Sequence, residues 1–354
     1  MTTFLQFHLL TSYGPSNPNR DDQGRPKQAM MGGVPRLRLS SQSIKRALRE
    51  SAFFALDLKE NMGTRTKRLH ERLVEKLVQD GASPEAAGKA ANTVSEIFGK
   101  LETPKKGDGP TVASTLAFIS PAEWKLAQEL ANKIVAGEEL PKEKDLKKLV
   151  LRRADGAIDI AMFGRMLAAD ADFNRDAAVQ VAHAITTHAA QAEEDWYSAV
   201  DDLNKAADTG AGHLGETAFG SGIYYQYICV DCDLLIENLD GDKELAAKGA
   251  EALARAMAQT APRGKQNSFA HRPRAHFVLA ERGSQAPRDL SGAFFAPVRG
   301  AALMEDSVSK LQQTRADIDV AYGQVWQDDC TMQVGVGGTL DEIVRFAGET
   351  VRAA

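Results

Sequence analysis

Residues 223–230 (IYYQYICV) are the strongest strand signal in the chain, with three tyrosines in one short run. Aromatic and β-branched side chains at this density suit a pleated, buried layer, so the fold has to be organised around a sheet. Three further segments supply partners. Residues 3–10 (TFLQFHLL) are β-rich, with Leu5, Phe7 and Leu9 on one face. Residues 36–39 (RLRL) alternate strictly, Leu37 and Leu39 pointing one way and Arg36 and Arg38 the other. Residues 276–280 (HFVLA) are the last of the set. Residues 11–35, rich in proline, glycine and polar side chains, read as a long loop of the kind that is often functional.

The helical signals follow a different period. Ser40 or Ser41 caps a helix to about Leu56 with Ile44, Ala47, Leu48, Ala52 and Ala55 as its apolar stripe. Residues 60–190 read almost entirely as helix, with stripes at Leu69, Leu73, Leu77 and at Ala87, Ala91, Val94, Phe98. Ser120-Pro121-Ala122-Glu123 is a capping box with proline at the first helical position. A helix from Asp159 would turn Ile160, Phe163 and Leu167 inward, and residues 174–190 would add an alanine-rich helix. Further helices are expected at 243–258, near 305–318 and at 339–352. With the 60–190 block set aside, the order is strand, helix, strand, helix, strand. That pattern predicts an α+β fold: an RRM-like or ferredoxin-like palm with helices on one face. The palm comprises residues 1–58 and 191–354, and the helical insertion residues 59–190.

The 354 residues carry 43 basic and 48 acidic side chains, a net charge of −5, so nucleic-acid binding has to come from a local patch. Three cysteines cannot build a disulfide scaffold, and no apolar run reaches the ~18 residues of a membrane span. The start of the chain reads as a first strand and not as a signal peptide, so a cytoplasmic protein is expected, with no membrane partner.

Arg36, Arg38, Lys45, Arg46 and Arg49 form the strongest basic run, without an acid among them. With Ser40, Ser41 and Gln42 at a helix start they make a candidate phosphate cradle, or a solvated basic face. Lys142, Lys144, Lys147, Lys148, Arg152 and Arg153 form a second stripe, which suits a phosphate backbone or simple solubility. The spacing Gly210-x-Gly212-x-x-Gly215 matches a dinucleotide fingerprint literally but lacks a preceding strand and a following helix; a glycine-rich hairpin fits better. Cys229 and Cys232 read as small buried hydrophobes, and His183 and His188 have the wrong spacing for a helical metal pair. Asp21 and Asp22 are either turn residues or a carboxylate pair able to hold Mg²⁺.

Several ordered segments carry a family resemblance. Leu10, Asn19 and Asp22, then Gly32-Gly33, the run Arg36-Leu37-Arg38-Leu39-Ser40-Ser41-Gln42-Ser43 and Lys45-Arg46-Ala47 form the first part. Asp155-Gly156-Ala157-Ile158-Asp159, Met162-Phe163-Gly164-Arg165-Met166, Ala199-Val200-Asp201-Asp202-Leu203 and Lys265-Gln266-Asn267-Ser268-Phe269-Ala270 continue it. Together they resemble the CasC family, the backbone subunit of the type I-E CRISPR surveillance complex Cascade. The resemblance implies a hand: an RRM-like palm, helical fingers and a β-hairpin thumb at about 193–222. It implies a non-catalytic, RNA-binding subunit of an antiviral ribonucleoprotein, without cofactor or metal, that polymerises head to tail along CRISPR RNA. Its partners would be CRISPR RNA, target DNA, further copies of itself and other Cascade subunits. The expected RNA contacts are Arg20, Lys27, Arg38, Ser40, Ser41, Gln42, Lys45, Arg46, Arg49, Arg165, Met166, Leu214, Gln266 and Asn267. Lys142, Lys144, Lys147 and Lys148 are expected on DNA. Met166 and Leu214 would wedge between bases, although Met166 could instead pack in a core with Phe163 and Leu167. The alternative is a metal-dependent ribonuclease using Asp21 and Asp22.

Overall fold

A computed structural model describes the chain except for residues 1, 103–110, 168–169 and 200–212 and the side chains of 143, 144 and 213. It divides into two compact units: Met1–Phe53, Gln180–Asp231 and Ala250–Ala354 form the first, Phe54–Val179 and Cys232–Gly249 the second. These boundaries differ from 58 and 190, and Cys232–Gly249, inside the stretch expected to be palm, groups with the second unit.

The first unit is built on a nine-stranded sheet. Its strands are β1 (Phe4–Ser16), β2 (Gln28–Met31), β3 (Val34–Leu39), β4 (Val179–Val181), β5 (Ala184–Thr186), β6 (Glu193–Ala199), β7 (His213–Asp231), β8 (Ala275–Gly283) and β9 (Asp328–Gln333). Their order is β9-β8-β1-β7-β5-β3-β2, with β4 and β6 pairing with β7 beside this path. Every pairing along the path is antiparallel. The fold is therefore α+β. The tyrosine-rich segment lies in β7, next to the central strand β1, with Leu10 opposite Tyr225 and His8 opposite Tyr227.

β1 is buried on both faces, not on one. Leu5, Phe7 and Leu9 are buried on one side, and Gln6, His8 and Leu10 on the other. The second face packs Leu10, Tyr225, Tyr227, Phe277 and Leu279 with Val308 and Leu311 of the Leu303–Tyr322 helix. Its polar members are all engaged. Gln6 Oε1 accepts from the Tyr227 hydroxyl at 2.9 Å and the Arg288 N–H at 2.8 Å. His8 Nδ1 meets the Tyr225 hydroxyl at 2.9 Å and its Nε2 meets Glu281 at 3.2 Å. Hydrogen bonds to Gln6 Oε1 and to both ring nitrogens of His8 are what make an amphipathic-looking strand tolerable in a core.

The long loop expected at 11–35 is largely ordered. β1 runs on to Ser16, and Gly32-Gly33 link β2 to β3 as a two-residue hairpin turn, with φ of 61° and 76°. Only glycine takes both positive angles without strain, and a Cβ on Gly32 would strike the Phe295 carbonyl. The helix expected over 174–190 does not form. β-branched Val179, Val181 and Thr186 alternate inward instead, and the segment gives β4 and β5. Cys229 and Cys232 are both buried, as small hydrophobes are.

In the second unit the helices Leu69–Gln79, Pro84–Phe98 and Pro121–Val135 bury both expected stripes in one cluster. The capping box at Ser120 is made in both directions. The block is less helical than its periodicity suggested, because short strand pairs interrupt it at Thr64–Thr66 with Ala117–Ile119 and at Leu101–Glu102 with Val112–Ala113. The Ile158–Phe163 helix stops at Gly164, whose φ is 78°, so Leu167 lies beyond it.

Candidate nucleic-acid interface

In the first unit the Ser41–Arg49 helix starts beside the loop that follows β1. Asn19 joins them, its Oδ1 accepting the Ser40 N–H at 2.8 Å. The Ser41 N–H goes to His183 Nδ1 at 2.9 Å, and Ser43 N–H to the Ser40 hydroxyl at 3.3 Å. The helix start was expected to offer free N–H groups to a phosphate. Three of its donors are instead taken within the protein, so anion binding at this end falls to side chains.

Those side chains converge. Lys27 and Arg38 line an open cleft of about 420 Å³ with Asp21, Asp22, Pro26 and Gln28. The Lys27 carbonyl accepts the Arg38 N–H at 2.8 Å, which holds the two residues together. Arg20 is exposed at the mouth of the same loop, which its backbone closes by a bridge to Pro26. Along the helix, Gln42 and Arg46 are exposed, while Lys45 and Arg49 are half-buried. Burial pushes the Lys45 amine below its usual value. Arg46 pairs with Glu50 at 2.8 Å. A second cleft, of about 430 Å³, is lined by Ser43, Arg46 and Glu50 together with Pro262, Arg263 and Gly264. A Cβ on Gly264 would lie 2.4 Å from the Pro18 carbonyl, so the loop 262–269 sits directly on the turn before Asn19. The loop carries Gln266, whose amide donates to the His271 carbonyl at 3.0 Å, and exposed Asn267.

Two arginines need correction. Arg36 is fully buried; its guanidinium donates to the carbonyls of Thr186 at 2.9 Å and Phe294 at 2.8 Å. It ties β3 to β5 and to the Phe294 carbonyl and is closed off from RNA. Arg165 is also buried, in the second unit. It pairs with Glu123 and donates to the carbonyls of Phe118, Arg152 and Phe173. The sequence hides this, because an arginine that donates to buried carbonyls looks the same in sequence as one that binds phosphate.

Met166, next to it, is 80% exposed. The core-packing reading fails because the helix has already ended at Gly164. Leu214 is 64% exposed on the hairpin of β6 and β7. Trp196, 70% exposed, shares a face with it, since Trp196 pairs with Glu216 and Ser198 with Leu214. Sequence reasoning passed over Trp196; a large aromatic inside the acidic string Glu193–Ala199 was the available signal. It also passed over His183 and Arg263, which only tertiary packing brings to the helix. The Gly210 and Gly212 positions lie outside the described residues, but Gly215 lies in β7 beneath the Tyr197 ring.

The acidic hairpin is partly answered within its own chain. Arg25 reaches Glu194 at 2.5 Å and Glu216 at 4.0 Å. Asp21 is a turn residue: its Oδ1 accepts the N–H groups of Gln23 and Arg25, both at 2.9 Å. Among the described residues no group of three or more His, Cys, Asp or Glu side chains is placed to hold a metal ion. In the lysine stripe, Lys142 is exposed, Lys147 pairs with Asp170 at 3.6 Å and Lys148 with Asp145 at 3.3 Å. The side chain of Lys144 lies outside the described residues. Among the described residues no helix is long and apolar enough to cross a membrane.

A family model described as CT1975-like protein matches residues 5–344, and the chain belongs to that family. This is the CasC-like family that the sequence motifs resemble. Among solved structures, a chain of a "CRISPR RNA-guided surveillance complex, pre-nicking" matches with a TM-score of 0.83 at 27% identity. The match covers 97% of this chain and 100% of that one. A chain of a "CRISPR RNA-guided surveillance complex" has the same fold with a TM-score of 0.74 at 24% identity, covering 99% and 100%. Among curated proteins no match is found.

Proposed function

We propose that this chain is the guide-RNA-binding backbone subunit of a Cascade-type CRISPR surveillance complex. The observation that carries the reading is the likeness, over nearly the whole of both chains, to a subunit of an RNA-guided complex. In this reading the first unit is an RRM-like palm, β6 and the start of β7 are the thumb, and the second unit holds the fingers. Copies bind head to tail along CRISPR RNA; the protein holds the backbone and base pairing with target DNA reads the sequence. Arg20, Lys27, Arg38, Gln42, Lys45, Arg46 and Arg49 contact phosphates, with Ser40, Ser41, Gln266 and Asn267 as neutral partners. Lys142, Lys144, Lys147 and Lys148 meet target DNA, where lysine suits contact without sequence readout. The subunit is non-catalytic and works in the cytoplasm. The ribonuclease alternative on Asp21 and Asp22 is not favoured: the likeness is to a subunit of a surveillance complex, and Asp21 Oδ1 is engaged in its own turn.

The salt dependence of RNA binding tests the cradle. Lys45→Ala combined with Arg49→Ala should weaken binding of unrelated RNA sequences alike and reduce the slope of log affinity against log salt by about one to two units. An unchanged slope removes both residues from the phosphate contacts. Copurifying nucleic acid, read from the 260/280 nm absorbance ratio before and after a high-salt wash, separates this reading from a protein-only scaffold.

Met166 and Leu214 are the wedges of this reading. Unstacking a base step costs a few kcal/mol, which an apolar side chain inserted at the step offsets. A reagent that modifies unstacked bases should give periodic reactivity along the bound guide, and Leu214→Gly with Met166→Gly should flatten it. A wild-type profile without periodicity would sink the wedge.

A further inference from the structure

We propose that His183 is a proton-gated phosphate ligand: neutral, it covers the start of the Ser41–Arg49 helix, and protonated, it turns outward to stand with Lys27 and Arg38 against bound RNA. The inference rests on the RNA-binding reading above and adds to it a coupling between guide binding and proton uptake.

The hydrogen bonds dictate the protonation state. His183 Nδ1 lies 2.9 Å from the Ser41 backbone nitrogen and 3.3 Å from Arg38 Nη1. Both neighbours are obligate donors, so Nδ1 must be the bare nitrogen and the ring must be neutral, with its proton on Nε2. A protonated ring would aim N–H at N–H and could not keep this position. The ring is exposed, so it has room to leave. Its departure does two things at once. It adds a cation beside Lys27 and Arg38, and it frees the Ser41 N–H at the positive end of a helix, where anions are favoured.

The charges facing the ring set the direction of the coupling. Arg38 comes from β3, Lys27 from the loop before β2, and Ser41 from the helix. Asp21 and Asp22 line the same cleft as Lys27 and Arg38. Burial first, then Arg38 and Lys27, hold the ring below its ordinary value, so it is neutral near neutral pH in the free protein. A phosphate laid between Lys27 and Arg38 removes the two electrostatic causes and replaces them with an attraction. The bound state then favours the imidazolium. By linkage, RNA draws a proton onto His183, and acid tightens RNA binding by the same factor.

The test uses the full chain and a fluorescently labelled single-stranded RNA at fixed ionic strength. His183→Asn is the decisive variant, because its Oδ1 can take the place of Nδ1 as acceptor for Ser41 yet cannot be protonated. Wild-type affinity should rise on the order of five- to tenfold between pH 8 and pH 6. The variant should bind like wild type at pH 8 and gain little on acidification. Calorimetry in two buffers of different ionisation enthalpy should show proton uptake on binding by wild type that His183→Asn loses. Equal pH dependence in the two proteins, or none in wild type, overturns the role of His183 while leaving RNA binding intact. Failure of wild type to bind RNA at any pH in low salt overturns the RNA reading and this inference with it.

Discussion

Arg165→Ala should cost the second unit about 3–5 kcal/mol, enough to unfold a domain of ordinary stability near physiological temperature. The loss comes less from the arginine than from what it leaves behind. Glu123 is fully buried, and it serves three groups. Its side chain accepts the Ser120 N–H at 3.1 Å to complete the capping box, accepts the Arg152 N–H at 2.9 Å, and pairs with Arg165. Removing the guanidinium strands that carboxylate away from water and takes a donor from the Phe118 and Phe173 carbonyls as well. Arg165→Lys should recover only part, since one ammonium cannot span the carboxylate and three carbonyls. Urea unfolding monitored by the fluorescence of Trp124, which packs against this unit's core, provides the measurement. A change below about 1 kcal/mol would mean that the guanidinium is not the partner Glu123 depends on. A large fall in the unfolding midpoint would also explain any loss of RNA binding in this variant without an RNA contact.

Glu281→Ala should destabilise the first unit by a similar amount, about 3–5 kcal/mol. Glu281 is fully buried on β8. It accepts from Arg288 at 2.8 and 3.2 Å, from Arg315 at 2.7 Å and faces His8 at 3.2 Å. Alanine would leave two guanidiniums in a largely desolvated site with Asp319 and Asp329 as their remaining partners. The same network predicts an acid limb. Burial alone would raise the Glu281 carboxyl, but His8 and Arg288 outweigh it and hold the group at about 2 against an ordinary 4.5. A carboxylate depressed in the folded state stabilises it fully above its unfolded value and loses that contribution on acidification. Wild type should therefore lose stability between about pH 4.5 and pH 2, and Glu281→Ala should lose less over that window. Denaturation midpoints of both proteins across this range decide the matter; parallel curves would show that the acid sensitivity resides elsewhere. His8 adds a second, milder limb. Burial holds its ring below the ordinary 6.5, so protonation of the unfolded chain draws on stability as pH falls below that value.

Much of the architecture was legible because it is written in period and cap. The leucine stripe at 69, 73 and 77, the capping box at Ser120 and the tyrosine-rich strand all depend on local patterns, and each appears where its spacing placed it. The CasC resemblance groups Arg20 and Lys27 with the basic helix start as RNA contacts; in the fold Asn19 bonds Ser40 and Lys27 bonds Arg38. Local pattern also settled that Cys229 and Cys232 would be buried, whereas the Gly32-Gly33 hairpin turn lay hidden inside a segment that reads as one long loop.

What the sequence left open turns on which groups meet across long separations. Alternation in β1 looked one-sided because Gln6 and His8 are polar; only the approach of Tyr225, Tyr227 and Glu281 from strands more than two hundred residues away makes their burial possible. Arg36, Arg38 and Arg165 are indistinguishable by composition. Tertiary structure buried the first and third against carbonyls and left the second at a cleft with Lys27. His183 counts in sequence only as half of a badly spaced histidine pair, because its partners, the Ser41 N–H and the Arg38 guanidinium, are supplied by a helix and a strand far away in the chain. Residue type and spacing fix what a segment can become; whether a charged side chain faces solvent or a buried carbonyl depends on desolvation and partner geometry, which only the assembled fold decides.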